Sequence, residues 1–159
     1  MNSLPIVRRL AVLYGLLLVL VILAANRGLI PMWWAFRRLS WADKLGHFLL
    51  IGTLALLVNL ALGARRWNLG RFSGLRGSLW ISVAVVLEEI SQHWMKYRAF
   101  ELADLAADFL GILVFGQLAR WWFAWRERVT LRDQSPVADL KTISVDLKTV
   151  SADHWERRV

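Results

Sequence analysis

Apolar residues run from position 10 to 25 without a charge, close to the ~20 mostly apolar residues that a membrane-spanning helix needs. Arg8 and Arg9 precede the run, as a basic pair precedes a secretory leader. No clear small-x-small cleavage pattern follows, and the run is long for a leader core. The pattern therefore predicts a retained helix. A second apolar segment is predicted over 43–62, a third over 77–97 and a fourth over 101–125. The third is mostly apolar over 79–87 and then carries Glu88, Glu89, Gln92 and His93, and the fourth contains Asp104 and Asp108. The last three segments are each too polar at one end for simple lipid anchors.

The basic residues orient this set. With the N-terminus in the cytoplasm, Arg8, Arg9, Arg65, Arg66, Arg71, Arg76, Arg120, Arg126, Arg128 and Arg132 lie inside. Arg27, Arg37, Arg38, Lys44, Lys96 and Arg98 lie outside. The excess favours both termini inside. Trp67, Trp80, Trp121, Trp122 and Trp125 then form an inner aromatic belt; Trp33, Trp34, Trp41 and Trp94 lie toward the outer one. The segment 31–36 is expected to lie flat in the outer interface.

Composition agrees. Of 159 residues 57% are hydrophobic, above the ~45–50% of soluble domains, and a chain this small has difficulty hiding that much apolar surface. A soluble enzyme and a disordered chain are both disfavoured. The net charge of +8 is read as positive-inside charge beside anionic lipid rather than as a nucleic-acid footprint. With no cysteine, disulfides, zinc–thiolate sites and a cysteine nucleophile are excluded. The expected fold is an all-α, polytopic membrane bundle of about four transmembrane helices, with both termini in the cytoplasm. Residues 1–130 form the membrane domain and 131–159 a flexible cytosolic tail. That tail repeats itself at a spacing of seven, Asp139-Leu-Lys-Thr-Ile-Ser and Asp146-Leu-Lys-Thr-Val-Ser, which is too short for a stable coiled coil. A short partner-binding helix is the alternative.

In that topology the polar residues converge. The second helix begins at the outer face, the third ends there and the fourth begins there. Asp43 and His47 are spaced by four, and Glu101, Asp104 and Asp108 by three and four, so each set shares one helical face. At ~1.5 Å per residue, Glu89 lies about 12 Å below the end of its helix and Asp108 about 10 Å below the start of its own. A polar cavity opening outward is implied. Charged residues at membrane depth cost ~2.5–3.5 kcal/mol each on insertion scales and mark function by default. The pocket candidates are Asp43, Lys44, His47, Glu89, Gln92, Arg98, Asp104 and Asp108. His47, Glu89, Asp104 and Asp108 are the candidate ligands of a divalent cation, since Mg²⁺, Mn²⁺ and Ca²⁺ favour oxygen donors. Other roles stand beside these: Asp43 as a helix cap, His47 as a donor to a neighbouring carboxylate, Asp104 as a partner of Arg98, and Glu88 and His93 as headgroup-facing polar residues. Gly111 is expected to permit close helix packing, and Asn59 and Gln117 to hydrogen-bond between helices.

The stretch Asp43-Lys44-Leu45-Gly46-His47-Phe48 resembles the D-K-x-x-H-F motif of VanZ-like membrane proteins. Glu89-Ile90-Ser91-Gln92 resembles that family's E-x-x-Q, and Arg98, Asp104, Asp108 and Gly111 its R-x5-D-x3-N-x2-G. The match covers about 41–117. Two positions depart from the family: Lys96-Tyr97 stand where it often has Pro-Gly, and Asp108 stands where it often has Asn. The family is named for a protein conferring teicoplanin resistance. The resemblance thus implies action at the bacterial cell envelope, where glycopeptides bind cell-wall precursors.

The leading expectation is a bacterial inner-membrane protein that binds or modifies an envelope component, such as a lipid-linked precursor, through this pocket. The first alternative is a metal-dependent enzyme acting on isoprenoid-phosphate lipids. No glycine-rich phosphate loop is present, and Arg98 is the single arginine near the pocket. An ion- or proton-coupled transporter is the second alternative, although no inverted repeat is seen. A membrane assembly subunit that docks through the tail is the third.

Overall fold

The computed structural model describes residues 4–29, 40–92, 94 and 101–156, with side chains through 132. Its elements are α1 (Leu4–Asn26), α2 (Ser40–Ala61), β1 (Arg66–Leu69), β2 (Phe72–Leu75), α3 (Arg76–Gln92) and α4 (Leu102–Glu156). Two compact units are distinguished, Met1–Trp121 and Trp122–Val159.

In the first unit α1 runs antiparallel to α2. Arg8 Nε near one end of α1 donates to the Ala61 carbonyl (3.3 Å), and Tyr14 Oη donates to the Leu50 carbonyl (3.2 Å). Only Ala11, Leu18 and Ala25 of α1 are buried. They recur every seven residues, so one narrow stripe touches protein while Leu13 and Leu20 on other faces are 63% exposed. A helix apolar all round with one packed stripe is suited to a lipid environment. Among the described residues three stretches are long and apolar enough to cross a membrane: Leu4–Asn26, Trp41–Ala61 and Leu102–Arg132.

The third expected span is not among them. Helix α3 has 17 residues, about 25 Å against a hydrocarbon core of ~30 Å, and its last turns carry Glu88 and Glu89. Of its expected extension to Tyr97, Trp94 alone is described.

Helix α2 ends in a left-handed turn. Gly63 takes a positive φ of 65°, and the Gly63 and Ala64 amides return to the Leu60 and Asn59 carbonyls. This satisfies carbonyls the helix leaves open. Between the second and third apolar segments the chain then forms a hairpin. β1 and β2 pair antiparallel with Leu69 opposite Phe72, which leaves Gly70-Arg71 as a two-residue turn. Glycine at its first position, φ +58°, matches the hand of paired strands. A Cβ on Gly74 would lie 2.9 Å from the Trp67 indole nitrogen, so the indole covers the bare backbone opposite it.

The core lies between α2, α3 and α4, around Ala55, Ile81, Val85 and Ile112. A Cβ at Gly111 would collide with the Phe48 carbonyl oxygen, and one at Gly52 would lie 2.5 Å from the Phe115 ring. These two glycines let α2 and α4 cross backbone to backbone, running in the same direction. Helix α3 runs the other way. Asn59 Nδ2 donates to Ser78 Oγ (2.9 Å), while the Ser78 amide at the start of α3 donates to Asn59 Oδ1 (3.2 Å). Gln117 Oε1 instead accepts from Arg120 one turn along the same helix (3.1 Å), with no bridge to another helix among the described residues.

In the second unit the Trp122 and Trp125 rings meet at 5.7 Å. The segment expected to be a flexible tail, with a short helix as the alternative, is helical to Glu156. Its sequence explains this, because Leu140, Ile143, Leu147 and Val150 recur at three, four and three, the spacing of one helical face.

Candidate functional site

Helices α2 and α4 start, and α3 ends, at one end of the first unit. There the i, i+4 pair of α2 meets the i, i+4 pair of α4. His47 Nδ1 lies 3.1 Å from Asp108 Oδ1, and His47 Nε2 lies 3.8 Å from Asp104 Oδ2. The imidazole therefore sits between two carboxylates. The Asp108 contact holds the ring's orientation. Asp104 and Asp108 are 4% and 2% exposed.

Lys44, one residue after Asp43, reaches across to α4. Its Nζ lies 2.6 Å from Glu101 Oε2 and 2.7 Å from Asp104 Oδ1, with Asp43 Oδ2 at 3.8 Å. Glu101 is half exposed and Asp104 buried, so the ammonium spans the rim and the interior of the cluster. Asp43 falls in the first turn of α2, where a carboxylate complements the helix dipole.

Glu89 is fully buried, and its two oxygens are used internally. Oε1 accepts from the Glu101 amide (2.8 Å) and Oε2 from Gln92 Nε2 (3.0 Å). Gln92 Nε2 also donates to Glu88 Oε2 (2.7 Å). Glu89 thus ties the end of α3 to the residue preceding α4, where an anion favours the helix N-terminus by ~0.3–1 kcal/mol. The sequence places Glu89 among the pocket and metal-ligand candidates; in the structure it joins two helices and is not in the metal-competent group found among the described residues. Arg98 and His93 lie outside the described residues, as do Lys96 and the segment 31–36.

For a metal ion, one ligand atom each from Asp43, His47 and Asp104 lie within 4.8 Å of one another. This set shares His47 and Asp104 with the set expected from sequence and brings in Asp43. An oxygen-rich set with one imidazole suits Mg²⁺ or Mn²⁺. Lys44 already lies on Asp104, so an ion here would have to displace or share that contact.

The cluster also closes one end of a cavity of about 440 Å³. Its walls are apolar and come from α1, α2 and α3, including Leu18 and Ile22, Leu50 and Leu54, and Ile81 and Val85. Its polar end consists of Asp43, His47, Glu88 and Asp108. Helix α1, which looks like a plain anchor in the sequence, therefore supplies a wall of the site. Gly15 and Gly46, both on the lining, are the signal that could have shown it: small residues on facing helices leave space between them.

No family model, no curated protein and no solved structure matches this chain. Its function has to be read from the site itself.

Proposed function

We propose that this chain is a VanZ-like, multi-pass protein of the bacterial inner membrane that binds or modifies a lipid-linked envelope component through its acidic, histidine-bearing pocket. In this reading α3 and the residues after it form a fourth span, both termini are cytoplasmic and the pocket opens outward. The observation that carries the proposal is the cavity: apolar walls end in a cluster of buried charges, a division that matches the chain and headgroup of an amphiphile. The motif residues quoted above and the excess of basic residues on the inner loops support the family and the orientation.

Orientation is tested by single cysteines, since the chain has none of its own. Trp94→Cys should react in intact cells with a membrane-impermeant maleimide, and Gly70→Cys only after lysis; the reverse pattern would invert the topology. Binding is tested by native mass spectrometry of gently purified protein. Wild type should retain a lipid that Asp108→Asn loses and Asn59→Ala keeps. Equal adducts in all three would remove the pocket from the account.

A second reading, a metal-dependent enzyme acting on isoprenoid phosphates, is favoured by the clustering of Asp43, His47 and Asp104. A carboxylate there would serve as general base and a bound cation would polarise the phosphate. Phosphate release that needs Mg²⁺ or Mn²⁺ and disappears in His47→Ala would establish it; release unaffected by chelator and by the substitution would end it.

A further inference from the structure

We infer that the β1–β2 hairpin is an interfacial anchor, lying against an anionic phospholipid leaflet with Leu69 and Phe72 at the acyl boundary and Arg65 and Arg71 on headgroup phosphates. The inference rests on α2 crossing the membrane, as proposed above. It is independent of the pocket and of the side on which the termini lie.

The pairing register divides the hairpin into two faces. Opposed residues of an antiparallel pair share a face, and successive residues alternate. Trp67, Leu69, Phe72 and Gly74 therefore stand on one face, and Arg66, Asn68, Ser73 and Leu75 on the other. The side chains agree: the Trp67 indole covers Gly74, and Arg66 Nη2 donates to Ser73 Oγ (3.0 Å). The second face rests on protein at its base, where Leu75 is buried beside Gly116 of α4. The first face is open at its tip: Leu69 is 72% exposed and Phe72 60%. A two-stranded hairpin is marginal in water without something to pack on, and acyl chains would remove this apolar surface from water.

Position and charge say what covers the open face. Strand β1 begins five residues after α2 ends, so the hairpin stays close to that end of a membrane-crossing helix. Its base meets α4 at Gly116, one turn before Arg120 and Trp121, where α4 takes on the basic and aromatic composition of a bilayer boundary. Arg65, Arg66, Arg71 and Arg76 are all exposed, and no Asp or Glu occurs from 44 to 87. Among the described residues none of the four is in an ion pair. Arg66 and Arg76 spend donors on Ser73 Oγ and the Arg66 carbonyl, which leaves Arg65 and Arg71 as the outward charges. The Arg71 guanidinium stands 5.1 Å from the centre of the Phe72 ring. Charge and apolar ring thus share the tip, the pairing that seats a segment at an anionic interface, and a guanidinium matches phosphate oxygens two at a time.

The test uses the full chain in lipid nanodiscs, with one introduced cysteine at a time because the chain has none, each labelled with an environment-sensitive fluorophore. The positions are Leu69→Cys on the open face, Asn68→Cys on the other face and Leu13→Cys on α1, all exposed. The readout is quenching by a phospholipid spin-labelled near the top of its acyl chain. In discs of phosphatidylcholine with phosphatidylglycerol, Leu69 should be quenched at least about twofold more than Asn68, and Leu13 should be quenched as well. Arg65→Gln and Arg71→Gln should each lower the ratio of docked to free hairpin about fivefold, and discs of phosphatidylcholine alone should lower it further. Quenching of Leu69 that ignores both changes would overturn the anionic lipid, and equal quenching of Leu69 and Asn68 would overturn the assigned face. Quenched Leu13 with unquenched Leu69 would leave the hairpin in water and its arginines for a soluble partner such as RNA, which overturns the inference alone. Unquenched Leu13 would take α1 out of the bilayer, and the membrane reading would fall with the inference.

Discussion

Asn59 and Asp108 are both buried polar residues in the apolar body of the first unit, yet their surroundings differ. Asn59 uses its amide nitrogen and its oxygen on one residue, Ser78. Gly77 is pressed against it so closely that a Cβ would collide with Asn59 Oδ1. That pair is neutral, reciprocal and closed. At the other end Asp108 shares His47 with Asp104, Lys44 bridges Asp104 and Glu101, and a cavity opens onto Asp108, Asp43 and Glu88. Buried polarity that serves the fold is matched pair by pair, because an unsatisfied group costs ~1–3 kcal/mol. Buried polarity that is charged and beside open space, as at Asp108, is the feature from which ligand binding is proposed.

The largest expected effect tests the frame on which both ends depend. Gly111→Val would drive a side chain into the Phe48 carbonyl and separate α2 from α4, destabilising by about 3 kcal/mol; thermal unfolding in detergent measures it. Next, Asn59→Ala removes two hydrogen bonds, one of them to the first turn of α3, and should cost about 2 kcal/mol while leaving ligand retention unchanged. A loss of ligand equal to that of Asp108→Asn would erase the distinction between the ends. Asp108→Asn should reverse that pattern, weakening ligand retention about tenfold, or ~1.4 kcal/mol, with a smaller change in unfolding temperature. The smallest effect is at the rim. Glu101→Gln loosens a half-exposed ion pair with Lys44 and should cost no more than about 1 kcal/mol, reduced further by salt.

Legibility in the sequence follows the same division. The long apolar runs of α1, α2 and α4 announce themselves, and the spacings Asp43/His47 and Asp104/Asp108 place each pair on one face before any contact is known. That both pairs meet at one end follows from alternating helix direction. Other features depend on partners that no local pattern names. Glu89 reads as a pocket candidate, and only the start of α4 shows that it receives the Glu101 amide. The hairpin is four residues per strand and rests on the Gly70 turn and the cover of Gly74 by Trp67, signals too short to stand out between two apolar segments. The wall supplied by α1 is hidden because the helix carries no charge from position 10 to 25, so composition does not separate the packed face from the lipid face. In the tail, two heptads are too few for a coiled coil, so a short helix is legible only as the alternative to a flexible segment, although the spacing is helical.

The central claim is that the cavity ending at Asp108 holds a lipid, and photocrosslinking tests it most directly. A lipid with a diazirine in its chain would be incorporated into membranes containing the wild-type chain, activated, and the adducts mapped by peptide sequencing. Adducts are expected to concentrate on cavity residues such as Leu18, Ile22 and Leu50, and to fall away from these positions in Gly46→Leu. Adducts distributed with equal weight over outward faces, such as Leu17 and Leu113, and unchanged by Gly46→Leu, would contradict the claim.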